Sequence, residues 1–193
     1  MPIVRKRSTP ATFHFADDGS IPNNTALPLV VYRAGIDLSG SPDPERLIEQ
    51  TFADNGWGHM WRNGIFPYPH YHSMIHEAMG IARGRAKVRF GGKKGKEIDV
   101  NVGDVVILPA GTGHQLISQT QELVVIGAYP PTGKYNLCRG SKAEHAKAIQ
   151  SIPKVPPPAT DPVFGAKERR DDPNSSDCKP TERAMARALC QSA

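Results

Sequence analysis

The chain of 193 residues has little cysteine and no long apolar run. Its three cysteines, Cys138, Cys178 and Cys190, are an odd number and lie outside the histidine-rich segments, so neither a disulfide framework nor a thiolate metal site is indicated. The first ten residues lack the apolar core of a signal peptide, and no segment approaches the length of a membrane span. We therefore expect a reduced, cytoplasmic protein with no membrane partner.

The sequence also lacks a concentrated basic region, although it carries an excess of positive charge. Lysine and arginine number 24 against 19 acidic residues, which gives a net charge of +5 and a pI of about 9.2. These basic residues are scattered, and no basic helix or stripe of alternating basic and aromatic residues is present. The pattern favours a solvated surface, so we expect no nucleic-acid partner.

Glycine and proline, by contrast, are abundant, with 18 residues of each. Such a composition implies many turns, which is typical of a jelly roll built from short strands. The length allows a substantial core, and no internal repeat is found, so a single domain is expected.

Three histidines and a glutamate lie within eight residues of the segment PHYHSMIHEAMGIARG, residues 69–84. Imidazole nitrogens and carboxylate oxygens suit first-row divalent metals, whereas the plainer alternative is a solvated patch. Because alternate residues of a strand share a face, His70 and His72 point the same way and Tyr71 the opposite way. The same rule turns His76 away from Glu77, so His76 is expected to be an exposed polar residue, or one that supports a ligand, but not a ligand itself.

A further candidate ligand comes from the segment GDVVILPAGTGHQLIS, residues 103–118. This segment reads as a turn, a short buried strand, a second turn rich in glycine, and a new strand that His114 opens. His114 is therefore positioned to meet the histidines of the earlier segment.

The two segments together resemble the two sequence motifs of the cupin superfamily. The first motif is matched by His70, His72, Glu77 and Gly84, and the second by Gly103, Pro109, Gly111 and His114, with the family's spacing between them. Further stretches at residues 13–24, 55–66, 124–130 and 161–165 are similar to a narrower group, the YjlB-like branch of single-domain cupins. This resemblance covers about residues 12–165.

The resemblance implies an all-β fold, the cupin double-stranded β-helix or jelly-roll barrel, with a few short peripheral helices. It also implies one divalent metal ion held by His70, His72, Glu77 and His114. Iron(II) or manganese(II) is favoured, with nickel, cobalt, zinc or copper as alternatives. Such a barrel commonly pairs through an edge strand near the N-terminus, and the apolar residues 29–32 would form that edge, so a homodimer is expected.

Four protein ligands leave two positions of an octahedral ion for a substrate or dioxygen. We therefore expect a metal-dependent enzyme acting on a small oxygenated organic molecule, with a dioxygenase-type oxidoreductase favoured. The alternatives are a non-catalytic cupin that binds a metal or small molecule, and a metal-dependent isomerase or decarboxylase. Glu77 is a candidate base, and Arg62 is a candidate anchor for a substrate carboxylate beside a stacking Trp61; a surface arginine and a core or interface tryptophan remain equally open.

The order of segments predicts four parts of the chain. They are an N-terminal arm over residues 1–11, a barrel over 12–135 with a short helix near 43–54, a capping helix and proline-rich strap over 136–165, and a polar C-terminal extension over 166–193. Asp43 is expected to cap the first helix, and Ser141 with Glu144 the second. A further short helix can form over residues 181–190.

Overall fold

The computed structural model describes residues 9–166 of the chain. Nine strands, two α-helices and two 3-10 helices occur in this part. They are β1 (Ala11–Phe13), β2 (Leu29–Tyr32), α1 (Pro44–Asp54), β3 (Gly58–Asn63), β4 (Glu77–Arg83), β5 (Arg85–Phe90), a 3-10 turn (Gly92–Lys94), β6 (Lys96–Asn101), β7 (Val105–Leu108), β8 (His114–Gln119), β9 (Val124–Tyr129), α2 (Lys142–Ser151) and a second 3-10 turn (Ile152–Lys154). The C-terminal helix expected over residues 181–190 lies outside the described residues.

The strands form two antiparallel sheets that pack face to face. The larger has the order β1-β2-β7-β4-β9-β3, and the smaller has the order β6-β5-β8. Strand β5 shows why they pack, since Ala86, Val88 and Phe90 are buried while the residues between them carry positive charge. These three buried residues pack with apolar side chains of β4 and β7 in one core between the sheets. The predicted all-β jelly roll is confirmed.

Helix α1 covers the other face of the larger sheet. Asp43 caps the helix by accepting a hydrogen bond from the backbone N–H of Arg46 at 3.0 Å, and Pro44 occupies the first turn. Ile48 and Phe52 are fully buried on the sheet. A side chain at Gly80 would lie only 2.7 Å from Ile48, so glycine there lets the helix approach β4 closely.

A second covering is made by α2 and the chain that follows it. The Ser141 hydroxyl accepts a hydrogen bond from the Glu144 backbone N–H, and the Glu144 carboxylate accepts one from the Ser141 backbone N–H, as the predicted capping box requires. Beyond α2, the strap binds the barrel through backbone carbonyls, because Trp57 donates to Thr160 and Asn55 donates to Pro162. Within residues 9–166, no helix is both long and apolar enough to cross a membrane.

His76 is buried, which corrects the expectation of an exposed side chain. Only 2% of its surface is accessible. Its Nδ1 accepts a hydrogen bond from the Ala110 backbone N–H at 3.0 Å, so Nε2 carries the proton and donates to the Pro156 carbonyl at 3.1 Å. His76 points away from Glu77, as the alternation of side chains along a strand predicts. The proline-rich strap, rather than solvent, occupies that side. His76 thus fastens the strap to the turn before β8.

Strand β2 is also placed differently from the expectation. It is paired on both sides, with β1 and with β7, so residues 29–32 expose no edge. The terminal strands of the larger sheet are β1 and β3. The edge on which a homodimer could form is therefore β1, since β1 is paired only with β2.

We predict that His76→Ala lowers the free energy of unfolding at pH 7 by about 2–4 kcal/mol, because it leaves a buried N–H and a buried carbonyl without partners. Urea denaturation measures the change. His14→Ala is the matched control, since His14 is exposed, and it should change little.

The difference in free energy of unfolding between the wild type and His76→Ala should depend on pH. Burial lowers the pKa of His76 to about 4. Between pH 6.5 and 4 the unfolded chain takes up a proton at His76 that the folded protein does not, so this stabilisation is complete above about pH 6.5 and is lost as pH falls. The advantage of the wild type over His76→Ala should shrink over that interval. An advantage independent of pH would contradict the assigned hydrogen bonds.

A homodimer stays a prediction. Size-exclusion chromatography with light scattering at micromolar concentration should give twice the chain mass of 21.0 kDa. A mass of one chain at that concentration would contradict pairing through β1.

Candidate metal centre

Three of the predicted ligands meet at one end of the barrel. The Nε2 atoms of His72 and His114 each lie 3.5 Å from Oε2 of Glu77, and the three side chains are almost completely buried. One ligand atom from each of the three lies within 4.8 Å of the others, and no second group of this kind occurs within residues 9–166. The arrangement has the donor set and the spacing of a metal site.

Backbone hydrogen bonds bring these residues together. His70 and His114 exchange two N–H to carbonyl bonds, of 3.1 and 2.9 Å, so the segment before β4 is joined to the start of β8. The Gly111 backbone N–H donates to the His72 carbonyl at 2.7 Å, and Glu77 is paired with Leu108 across β4 and β7. Each ligand therefore sits on backbone held by a neighbouring strand or turn.

The histidines present one ring nitrogen each to the cavity. Nδ1 of His72 bonds the Asn136 carbonyl, Nδ1 of His70 bonds the Tyr68 carbonyl at 3.1 Å, and Nδ1 of His114 has a longer contact of 3.5 Å with Thr112. A carbonyl only accepts, so Nδ1 carries the proton and Nε2 keeps its lone pair. Histidines that bind metals are commonly oriented in this way.

Glu77 has one oxygen without a hydrogen-bond donor. Its Oε1 accepts a hydrogen bond from the Tyr129 hydroxyl at 3.1 Å, whereas Oε2 is buried and has no hydrogen-bond partner. A buried anionic oxygen is costly when nothing compensates its charge. The lone pairs of two neutral imidazoles beside it would add no compensation, but a cation among the three atoms would satisfy all of them. The residues present therefore fit a divalent metal ion.

The pKa values of the site show where a proton goes when no metal is bound. Burial opposes ionisation of Glu77, but His72 and the other histidines outweigh it and lower the pKa of the carboxyl to about 2. Burial, together with His70, lowers the pKa of His114 to about 3. Burial alone would also lower the pKa of His72, but the Glu77 carboxylate outweighs it, so the pKa of His72 is raised. As pH falls, His72 is therefore protonated before His114 or Glu77 in the metal-free site.

His70, the fourth predicted ligand, lies next to this group but is not part of it. Its ring centroid is 3.9 Å from that of His114 and 6.2 Å from that of His72. It is buried and lines the same cavity. His70 thus has the position of a neighbour to the ligand group, and its role as a ligand stays a prediction.

A cavity of about 300 Å³ opens beside the three ligands. Its walls are mainly aromatic and aliphatic, with one amide, and the residues beyond the histidines and Glu77 are Trp61, Asn63, Gly64, Ile65, Phe66, Met79, Tyr129 and Tyr135. Among the described residues that line it there is no lysine or arginine. The cavity thus suits a largely apolar body whose polar atoms approach Glu77 and the histidines.

Arg62 does not lie at this cavity. Its guanidinium makes two hydrogen bonds with the Glu49 carboxylate of α1, of 2.6 and 2.7 Å. Strand alternation in β3 explains the difference, because Trp61 faces the cavity and the next residue faces the helix. The expectation that Arg62 binds a substrate carboxylate is therefore corrected, whereas the expectation that Trp61 faces the substrate side fits its position.

Two residues beside the ligands were missed by the sequence reasoning. Tyr129 ends β9, where Val125, Gly127 and Tyr129 share the inner face, so strand alternation could have indicated it. Asn136 acts through its backbone carbonyl and is held in turn by Ser73, whose backbone N–H donates to its side chain at 3.0 Å. A carbonyl is common to all residues, so the sequence offers no signal for this role.

Comparison with known proteins agrees with the fold and the motifs. Residues 57–127 match the model of the Cupin domain family, Cupin_2. The chain belongs to the cupins. Within them it is 39% identical over 157 residues to the uncharacterized protein YjlB of Bacillus subtilis strain 168, across 81% of this chain and 92% of that protein, which places it in the YjlB-like branch.

Solved structures show more distant likeness. Acireductone dioxygenase from Bacillus anthracis, with a cadmium ion in its active centre, is 18% identical with a TM-score of 0.36, covering 50% of this chain and 68% of that one. A single-substitution variant of oxalate decarboxylase from Bacillus subtilis is 14% identical with a TM-score of 0.35, covering 58% and 27%. Likeness at this level says nothing about the reaction of the present chain.

We predict that a divalent ion displaces protons on binding near pH 6.5, and no more than about one per ion, because a proton on His72 must leave before its Nε2 can bind a metal. Calorimetric titration in two buffers of different ionisation enthalpy measures the number. The number should fall towards zero as pH rises above the raised pKa of His72. Release of two protons near pH 6.5 would contradict the neutral state assigned to His114.

Proposed function

We propose that this cupin is a metal-dependent enzyme that acts on a small oxygenated organic molecule, and that its reaction is of the dioxygenase type. The observation that carries this proposal is the buried Oε2 of Glu77, which lacks a hydrogen-bond donor and faces Nε2 of His72 and of His114 beside an accessible cavity. A site that only stabilised the fold would not require a cavity next to its ligands.

The residues proposed to hold the ion are His70, His72, Glu77 and His114. Iron(II) or manganese(II) is the proposed metal, with nickel, cobalt, zinc or copper as alternatives for the same nitrogen and oxygen ligands. When bound, such an ion polarises oxygen atoms of a substrate, and iron or manganese adds redox chemistry with dioxygen.

Glu77 suits a ligand better than a general base. A base that takes a proton at neutral pH works best with a pKa near 7, whereas the neighbouring histidines lower the pKa of Glu77 to about 2 against the effect of burial. Its Oε1 is already bonded to the Tyr129 hydroxyl. Its contribution to catalysis is therefore the negative charge and the oxygen that it places among the histidines.

The residues that line the cavity indicate the class of substrate. The indole of Trp61 and the rings of Phe66 and Tyr135 offer flat apolar surfaces, and the Asn63 amide offers one hydrogen-bonding group. A volume of about 300 Å³ is small for a ligand site, so we propose a molecule with a single ring or a short chain. Its oxygen atoms would point towards Glu77 and the histidines.

The proposal is tested by reconstituting the metal-free protein with each ion under anaerobic conditions. The protein is then supplied with catechols or α-keto acids in the presence of oxygen, and an oxygen electrode with mass spectrometry follows the reaction. The expected result is oxygen consumption coupled to product formation with iron(II) or manganese(II). Product without oxygen uptake would favour an isomerase or decarboxylase instead.

Ligand variants connect this activity to the site. We predict that His72→Ala and His114→Ala lose stoichiometric metal and all measurable turnover, because each removes one of the two imidazoles whose Nε2 lies 3.5 Å from Oε2 of Glu77. His70→Ala should weaken metal binding less, and the exposed His14→Ala should retain both metal and turnover. Elemental analysis and the oxygen assay provide the measurements. Tight metal binding with no turnover on any substrate would support a binding protein and overturn the enzyme proposal.

A further inference from the structure

A chain of two hydrogen bonds ends on the oxygen of Glu77 that faces away from the histidines. The indole Nε1–H of Trp61 donates to the Tyr129 hydroxyl oxygen at 3.0 Å, and the Tyr129 hydroxyl is 3.1 Å from Oε1 of Glu77. An indole nitrogen can only donate, so the Tyr129 oxygen accepts from Trp61. An ionised carboxylate can only accept, so the Tyr129 hydroxyl donates a hydrogen bond to Glu77.

The position of Trp61 depends on a glycine. Trp61 is paired with Gly127 across β3 and β9, and its indole lies on the backbone at that glycine. Any side chain at Gly127 would overlap the indole ring. Glycine at this position thus allows the indole to lie flat, with its nitrogen directed at the Tyr129 hydroxyl.

We infer that Trp61 and Tyr129 are positioning residues that restrict Glu77 to a single metal-binding oxygen, Oε2. The inference rests on the proposed metal site and states how that site is kept open to substrate. A glutamate can bind a metal through one oxygen or through both. Here Oε1 could join the ion only by giving up the hydrogen bond from Tyr129, whose proton has no other acceptor assigned within the described residues.

The consequence concerns the positions left for substrate. If four protein side chains each supply one atom, an octahedral ion retains two further positions. A second oxygen from Glu77 would take one of these and would leave a single position. The hydrogen-bonded pair Trp61 and Tyr129 would therefore determine whether a substrate can bind through two oxygen atoms.

The variants separate this role from general packing. Tyr129→Phe removes only the hydroxyl, and Trp61→Phe removes the indole N–H. The chain offers a matched control for each change. Tyr32 donates its hydroxyl to the Asp161 carboxylate at 2.7 Å, and Trp57 donates its indole N–H to the Thr160 carbonyl at 3.1 Å, both remote from the cavity. Tyr32→Phe and Trp57→Phe therefore remove the same groups from structural hydrogen bonds.

The probe is manganese(II) alone, bound to the full-length protein, and the readout is the relaxation of water protons, which reports the water molecules bound directly to the ion. Tyr129→Phe should reduce this relaxation effect to roughly half, as two positions for water become one. Trp61→Phe should give a smaller reduction. The double variant should equal Tyr129→Phe, because Trp61 acts on Glu77 only through Tyr129. Both control variants should match the wild type.

A second measurement uses the carboxylate bands of the metal-loaded protein in infrared difference spectra. The separation between the two stretching bands of Glu77 should narrow in Tyr129→Phe, as expected when both oxygens bind. Wild-type protein that holds manganese but shows no change in either measurement on Tyr129→Phe would overturn the inference and leave the proposed function standing. Wild-type protein that binds neither manganese(II) nor any of the other proposed ions would overturn both.

Discussion

The uncompensated charge of Glu77 is the constraint around which this end of the barrel is built. Glu77 is 2% exposed, its carboxyl is held ionised by the histidines around it, and one carboxyl oxygen has no hydrogen-bond partner. A buried charge of this kind requires a positive partner, either a proton on His72 or a metal ion. The tautomers of the histidines and the hydrogen bond from Tyr129 to the other oxygen are each consistent with a cation at Oε2.

Backbone hydrogen bonds of the barrel hold Glu77 and the histidines in place around this buried charge. The hydrogen bonds between His70 and His114 join two segments far apart in sequence, and strand β4 carries Glu77 in register with β7. The apolar core between the sheets lies directly behind the ligands, with Met79 both in that core and at the wall of the cavity. A preorganised site of this kind does not have to gather its ligands when the metal arrives, so less of the binding energy is spent on ordering them.

The grouping of His72, Glu77 and His114 could be predicted because these residues match the two cupin motifs, whose spacing is visible in the sequence. Strand alternation alone pairs His72 with His70, which lies beside the group. The errors arose where a distant segment decides the outcome. His76 is covered by the strap, whose Pro156 carbonyl lies eighty residues further along the chain, and the edge of β2 is covered by β1. Such tertiary contacts leave no trace in the local pattern of apolar and polar residues.

The central claim is that a metal ion binds among His72, Glu77 and His114, and anomalous diffraction tests it most directly. Crystals of the protein loaded with manganese, iron or cobalt should be measured at the absorption edge of the ion. The account predicts one strong anomalous peak within bonding distance of Nε2 of both histidines and of Oε2 of Glu77, with Oε1 still bonded to Tyr129. No peak among these atoms, or a stronger one elsewhere such as beside Asp17 and His145, would contradict it.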